Sequence, residues 1–196
     1  MEAPSLPARD GQLKDRETGQ ALRSALSMIL NPGQVVKGAL DRVPWPVSLT
    51  ISGLAFTLFF LQTGLDMHRV GTASAGAAVG FTFLGLFFGT AGVALVAAVG
   101  WALARLLGGE RSLEWTVRAF CLAYTPTLIF ATVGLIFNLA AGWNTAIAFG
   151  VTGVLWALLP VIAILREMTG EKLGASLAIA TVCGGLILGG WALVGT

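Results

Sequence analysis

Charged side chains are scarce: Asp, Glu, Lys and Arg make up 11% of the 196 residues, less than half the roughly 25% of a water-soluble domain. So few charges cannot coat a soluble globule, and the chain needs lipid as part of its solvent. Histidine occurs once, at His68, and cysteine twice, at Cys121 and Cys183 in separate apolar runs. A metal site wants three or four ligands, and a disulfide framework wants conserved-looking pairs. Neither is expected, and both cysteines read as small buried hydrophobes. Beyond Asp66 there is no further aspartate, and Glu110, Glu114, Glu167 and Glu171 all fall between apolar runs. A charge at bilayer centre costs about 2.5–3.5 kcal/mol and is kept for proton relays, ion paths or catalysis. That distribution argues against a proton-coupled pump and an intramembrane aspartyl protease.

Other classes fall away for similar reasons. The net charge is +2, and no stretch combines clustered Lys and Arg with stacking aromatics, which sets nucleic acid aside as a partner. The pair Gly108 and Gly109 precedes no phosphate-binding Lys followed by Ser or Thr, so it is no nucleotide loop. A Ser, His and Asp triad would have to use His68, Asp66 and Ser74 around one connection; an interfacial polar cluster is the simpler reading. No catalytic residue, cofactor or metal is expected. No uninterrupted apolar core follows a basic start, so no cleavable signal peptide is expected, and the N-terminal head stays where it is synthesised.

What is present is apolar. Hydrophobic residues make up 56% of the chain with 26 glycines, and the mean hydropathy is +0.82. Eleven of the 22 charged side chains lie in the first 42 residues, a polar head on an apolar body. A membrane-crossing helix needs roughly 20 apolar residues, and such runs occur at about 46–65, 77–104, 117–139, 144–165 and 173–195. The stretch Gly71–Leu107 carries one charge, Arg105, and would extend about 55 Å as a single helix. Basic residues decide how to count it, because Lys and Arg accumulate on the cytoplasmic side. Five spans with the N-terminus inside leave only Arg69 outside, eleven to one, whereas six spans leave six on each side. The expectation is an all-α integral membrane bundle of five transmembrane helices, N-terminus cytoplasmic and C-terminus outside, with Gly71–Ala78 as an outer loop or shallow helix. Trp45, Trp101 and Trp115 then mark one membrane boundary and Trp143 and Trp191 the other, while Trp156 falls at mid-depth as a packing residue.

Three regions follow. Residues 1–17 read as a disordered polar tail. Residues 18–43 form cytoplasmic amphipathic helices: Ala21, Leu22, Ala25, Leu26, Ile29 and Leu30 recur at helical spacing opposite Gln20, Arg23, Ser24 and Ser27, a pattern suited to the membrane surface or to the protein's own inner loops. Residues 44–196 are the transmembrane domain.

Its chemistry is that of close packing. Gly76 and Gly80, Gly85 and Gly89, and Gly185 and Gly189 are each four apart, so each pair lets another backbone approach one helix face. Packing within the bundle is the first expectation for them, and an oligomer or partner interface the second. Pro126 and Pro160 fall inside spans three and four, freeing the carbonyls of Leu122 and Trp156; Tyr124, Thr125 and Thr127 flank the first, making a polar half-turn in an apolar helix. Glu114 and Arg118 have the spacing of a helical ion pair, and Arg166, Glu167, Glu171 and Lys172 make a compact mixed-charge turn. With Gly108, Gly109 and the head, these are the inward-facing polar surface.

The order of these features resembles the YIP family (YIPF, Ypt/Rab-interacting proteins), in its small prokaryotic type, from about Ile29 onward. The residues that carry the likeness are Asn31 and Pro32 before a short helix; Gly108, Gly109, Glu110, Arg111 and Ser112 before Phe120, Cys121, Leu122, Ala123, Tyr124, Thr125 and Pro126; and Ile164 to Gly170 in the last charged turn. The resemblance implies a five-span bundle and a non-catalytic role in a prokaryotic cytoplasmic membrane, through self-association or contact with another membrane protein. Eukaryotic relatives bind Rab-type GTPases; this head lacks their Asp, Leu, any residue, Gly, Pro sequence, so GTPase binding is not carried over. The alternative function is a channel, transporter or lipid-moving protein for a neutral or amphipathic substrate, using the kinks at Pro126 and Pro160.

Overall fold

The computed structural model describes Gly19 and residues 23–195, without the side chains of residues 39, 42 and 195. The expected tail over residues 1–17 and the first turn of the head helix, with Ala21 and Leu22, lie outside the described residues. Every described element is helical: α1 (23–30), α2 (32–42), α3 (Trp45–Arg69), α4 (Ala75–Leu106), α5 (Leu113–Ala141), α6 (Ala146–Met168) and α7 (Leu173–Gly195). Among them α3 to α7 are long and apolar enough to cross a membrane, and the protein is a multi-pass, all-α integral membrane protein. The connections among α3 to α7 are four to six residues long, so these successive helices run antiparallel. We call the end with the head and the 107–112 and 169–172 connections the head end, and the end with 70–74 and 142–145 the far end.

Helix starts follow from local chemistry. Ser74 and Ser112 cap α4 and α5, their hydroxyls accepting hydrogen bonds from the Ala77 and Trp115 amides at 3.2 and 3.1 Å, which satisfies donors that a helix N-terminus leaves free. The 70–74 turn is therefore shorter than the expected loop to Ala78. In the same way α3 runs to Arg69 rather than stopping near residue 65, because the charges of its last turn are held by α5 and α6 instead of being released to water.

The centre of the bundle is α3, which packs on α4, α5 and the start of α6 and buries Phe56, Phe59 and Phe60 completely. Phe88 of α4 and Tyr124 of α5 meet Phe56 from two sides, with ring centroids 5.3 and 5.0 Å away. The 32-residue α4 contains a π turn at Phe88–Gly92. Its partner changes there, from α3 beside Gly85 and Gly89 to Phe120 and Cys183 of α5 and α7 beside Gly100. The last helix, α7, is peripheral, with 28% of its apolar window buried against 61% for α3.

The head joins the core through Ala25, Met28, Val35, Val36, Leu40 and Val43, and α2 lies on α6. The expected apolar stripe is rotated: Ser24 is buried while Leu26 and Leu30 point away from the bundle, Leu30 being 87% exposed. The docked helix turns Ser24, Ala25 and Met28 inward and leaves Leu26 and Leu30 outside.

Candidate functional site

The break in α5 is built as its residues require. Regular helix stops at Ala123 and resumes at Thr125, with Pro126 in the first turn of the new segment. Pro126 has no amide to offer the Leu122 carbonyl, and the Thr125 hydroxyl donates to that carbonyl instead at 2.7 Å. Tyr124 is 2% exposed, with its ring edge-on to Phe56. The Thr127 hydroxyl is buried without a protein hydrogen-bond partner, where the backbone of Gly153 in α6 comes close. Pro160, by contrast, sits inside a continuous α6. It offers no amide to the Trp156 carbonyl, and the Trp156 ring, half exposed, stacks on Phe130 of α5 with centroids 6.3 Å apart.

The three glycine pairs part company. A Cβ on Gly85 would stand 2.5 Å from the Phe56 carbonyl oxygen, and one on Gly89 would collide with that of Ser52; this pair is used up in seating α4 on α3. Gly80, Gly185 and Gly189 have nothing within 4 Å of that position, and Gly76 only the hydroxyl of Ser74 at 3.8 Å. Packing inside the bundle, expected of all three pairs, holds for one. Gly185 and Gly189 instead line a shallow groove along the outer face of α7 with Leu186 and Leu193.

At the head end the two connections lock together. Arg111 donates to Glu167 at 2.6 Å across them, and Gly109 lies so close to the Met168 carbonyl that a Cβ would come within 2.7 Å. Gly108 turns the chain with φ +92°. Three arginines lie over three tryptophans: Arg105 on Trp101, Arg111 on Trp115 and Arg118 on Trp45. Glu114 pairs with Arg118 at 2.8 Å, as its spacing predicts, and also accepts from the Trp45 indole at 2.8 Å. The mixed-charge turn divides: Glu167 serves Arg111, while Arg166 pairs with Glu171 at 2.7 Å and Lys37 of the head with Glu171 at 3.0 Å. Glu171 has φ +64°, left-handed, which a non-glycine residue rarely adopts. Its hydrogen bond to Lys37, helped by the charges of Arg166 and Lys37, holds its carboxyl below the ordinary carboxylate value against partial desolvation.

At the far end lies a polar knot only half visible in the sequence. Asp66 is 15% exposed on its side chain. One of its oxygens accepts from the Thr145 and Ala146 amides, both at 2.8 Å, and so caps α6. The other accepts from Asn138 at 2.6 Å and Arg69 at 3.3 Å. Arg69 also donates to Asn138, to Asn144 and to the Trp143 carbonyl. His68 stands aside, its Nδ1 3.0 Å from the Ala73 carbonyl. Adjacent charges at 66 and 69 mark the cluster in the chain; Asn138 and Thr145 belong to it only through the fold, although an asparagine near the end of an apolar span is itself a signal. Also unforeseen are Gln62, fully buried and donating to the Ala131 carbonyl, and Thr63, which accepts from the Trp191 indole at 2.9 Å. Among the described residues no group of three or more His, Cys, Asp or Glu could hold a metal ion, and Cys121 and Cys183 are free and buried.

No family model, curated protein or solved structure matches this chain.

Proposed function

We propose that the protein is a non-catalytic membrane protein of the YIP type that works by contact within the bilayer, with a second copy of itself or with another membrane protein. The observation that carries this reading is the contrast between two identical glycine spacings. Gly85 and Gly89 are filled by α3, whereas Gly185 and Gly189 lie open on the least buried helix. In lipid, helix association depends on close backbone approach at small residues rather than on hydrophobicity, and an open pair of this kind is what such a contact uses. The head-end surface formed by Glu114, Arg118, Arg166, Glu167 and Glu171 is the polar counterpart that a partner outside the bilayer would meet.

The test is the mass of the protein extracted in mild detergent, with and without Gly185→Leu and Gly189→Leu. A complex larger than the monomer is expected, and the double variant should reduce it toward the monomer while folding normally. Monomer alone, with no crosslinked companion in native membranes, refutes the proposal.

A further inference from the structure

We propose that the far end carries a lipid site: a groove between α3, α6 and α7 that takes one acyl chain of a net-neutral phospholipid from the adjoining leaflet. The groove encloses about 400 Å³, within the roughly 300–1,000 Å³ of small-molecule sites. Met67, Val70, Ile147, Ala148 and the Trp191 ring form apolar walls. From Thr63 to Val70 it follows α3 for about 10 Å, two helical turns. Its mouth coincides with the helix ends, since α3 stops at Arg69 and α6 starts at Ala146. That is headgroup depth, marked also by Trp143 and Trp191, where indoles concentrate. An amphiphile lying in the groove has its chain among the apolar walls and its head beside Asn144 and Asp66, the polar residues at the rim.

Charge selects the head. Asp66 and Arg69 are the formal charges of this end among the described residues, and they cancel. Both are already paired with each other and with neighbouring polar groups. The Asp66 carboxylate already receives four hydrogen bonds. The two terminal nitrogens of Arg69 are engaged by Asp66, Asn138, Asn144 and the Trp143 carbonyl. A head with net charge of either sign finds no free counter-charge and loses hydration without replacement, whereas a zwitterionic head brings its own balance. The wall is also fixed: Trp191 is held by its hydrogen bond to Thr63 and by stacking on Phe59 at 5.2 Å, so the groove is preformed.

The experiment uses the full chain in nanodiscs doped with phosphatidylcholine that bears a diazirine on one acyl chain; after illumination the labelled residues are mapped by peptide mass spectrometry. Labelling should concentrate on Met67, Ile147 and Ala148. Ala148→Phe, which fills the groove, should lower it at Met67 at least fivefold. Ala178→Phe, on the outward face of α7, should leave it unchanged. Val70→Trp at the exposed rim serves as a second blocking variant should Ala148→Phe not fold. The same photolipid with a phosphatidylglycerol head should label the groove several-fold less. Even labelling over all outward helix faces, insensitivity to both blocking variants, or equal labelling by the anionic lipid overturns the proposal. Gly185→Leu is expected to label as the wild type does, which separates this result from that on self-association.

Discussion

Asp66 joins three helices through one carboxylate, because its own helix ends where α6 begins and its oxygens point at amides that would otherwise be unpaired. Asp66→Asn removes the charge facing the α6 N-terminus and Arg69, and puts a donor where only acceptors fit. A loss of about 1–3 kcal/mol is expected, from the cost of leaving buried donors unsatisfied, and thermal unfolding in detergent measures it. Glu171 offers a second single-residue test. Its carboxyl lies below the ordinary value of 4.5 when the head is docked. A group whose value is depressed by docking stabilises the docked state above its ordinary value, and that contribution is lost as pH falls through the lowered one. Head docking should therefore hold from pH 8 to about pH 5 and weaken below the ordinary carboxylate value. Spin labels on Gly33→Cys and Gly174→Cys would report it as a distance that grows only in acid; a change near pH 6 to 7 would contradict the assignment.

At the scale of the element, glycine spacing and proline position are legible, but their consequences depend on neighbours. Gly85→Leu drives a side chain into the Phe56 backbone, and overpacking of that kind costs about 1–3 kcal/mol, occasionally more. Gly185→Leu adds a side chain in open space and should leave the melting temperature of the isolated chain within about a degree. The pair of measurements separates a bundle seam from a free face. In α5 the freed Leu122 carbonyl was predictable from Pro126, and so was the polarity of its flank; that Thr125 supplies the donor is a fact of geometry. Thr125→Val should destabilise by about 0.5–1.5 kcal/mol, the net value of one intramolecular hydrogen bond, read by chemical or thermal unfolding. Pro160 shows the limit of the same reasoning, for a proline inside a span is compatible with an uninterrupted helix when the surroundings hold it.

For the whole molecule, an odd number of crossings puts the termini on opposite faces, and the distribution of Lys and Arg favours a cytoplasmic N-terminus. Impermeant thiol reagents applied to intact cells should reach Thr196→Cys directly and Ser5→Cys only after permeabilisation. Labelling of both from one side would break the five-span arrangement. The five helices were legible in residue order: lipid tolerates neither free backbone amides nor isolated charges, so long apolar runs become helices whose ends are marked by charges or, at residues 142–145, by a glycine and polar residues. The structure decided which helix lies at the centre, which glycine pair is filled, and that Asp66, Arg69, Asn138 and Thr145 form one knot. Those outcomes depend on which face of each helix meets a neighbour, and in a chain apolar on nearly every side, as α7 is, hydropathy does not distinguish one face from another.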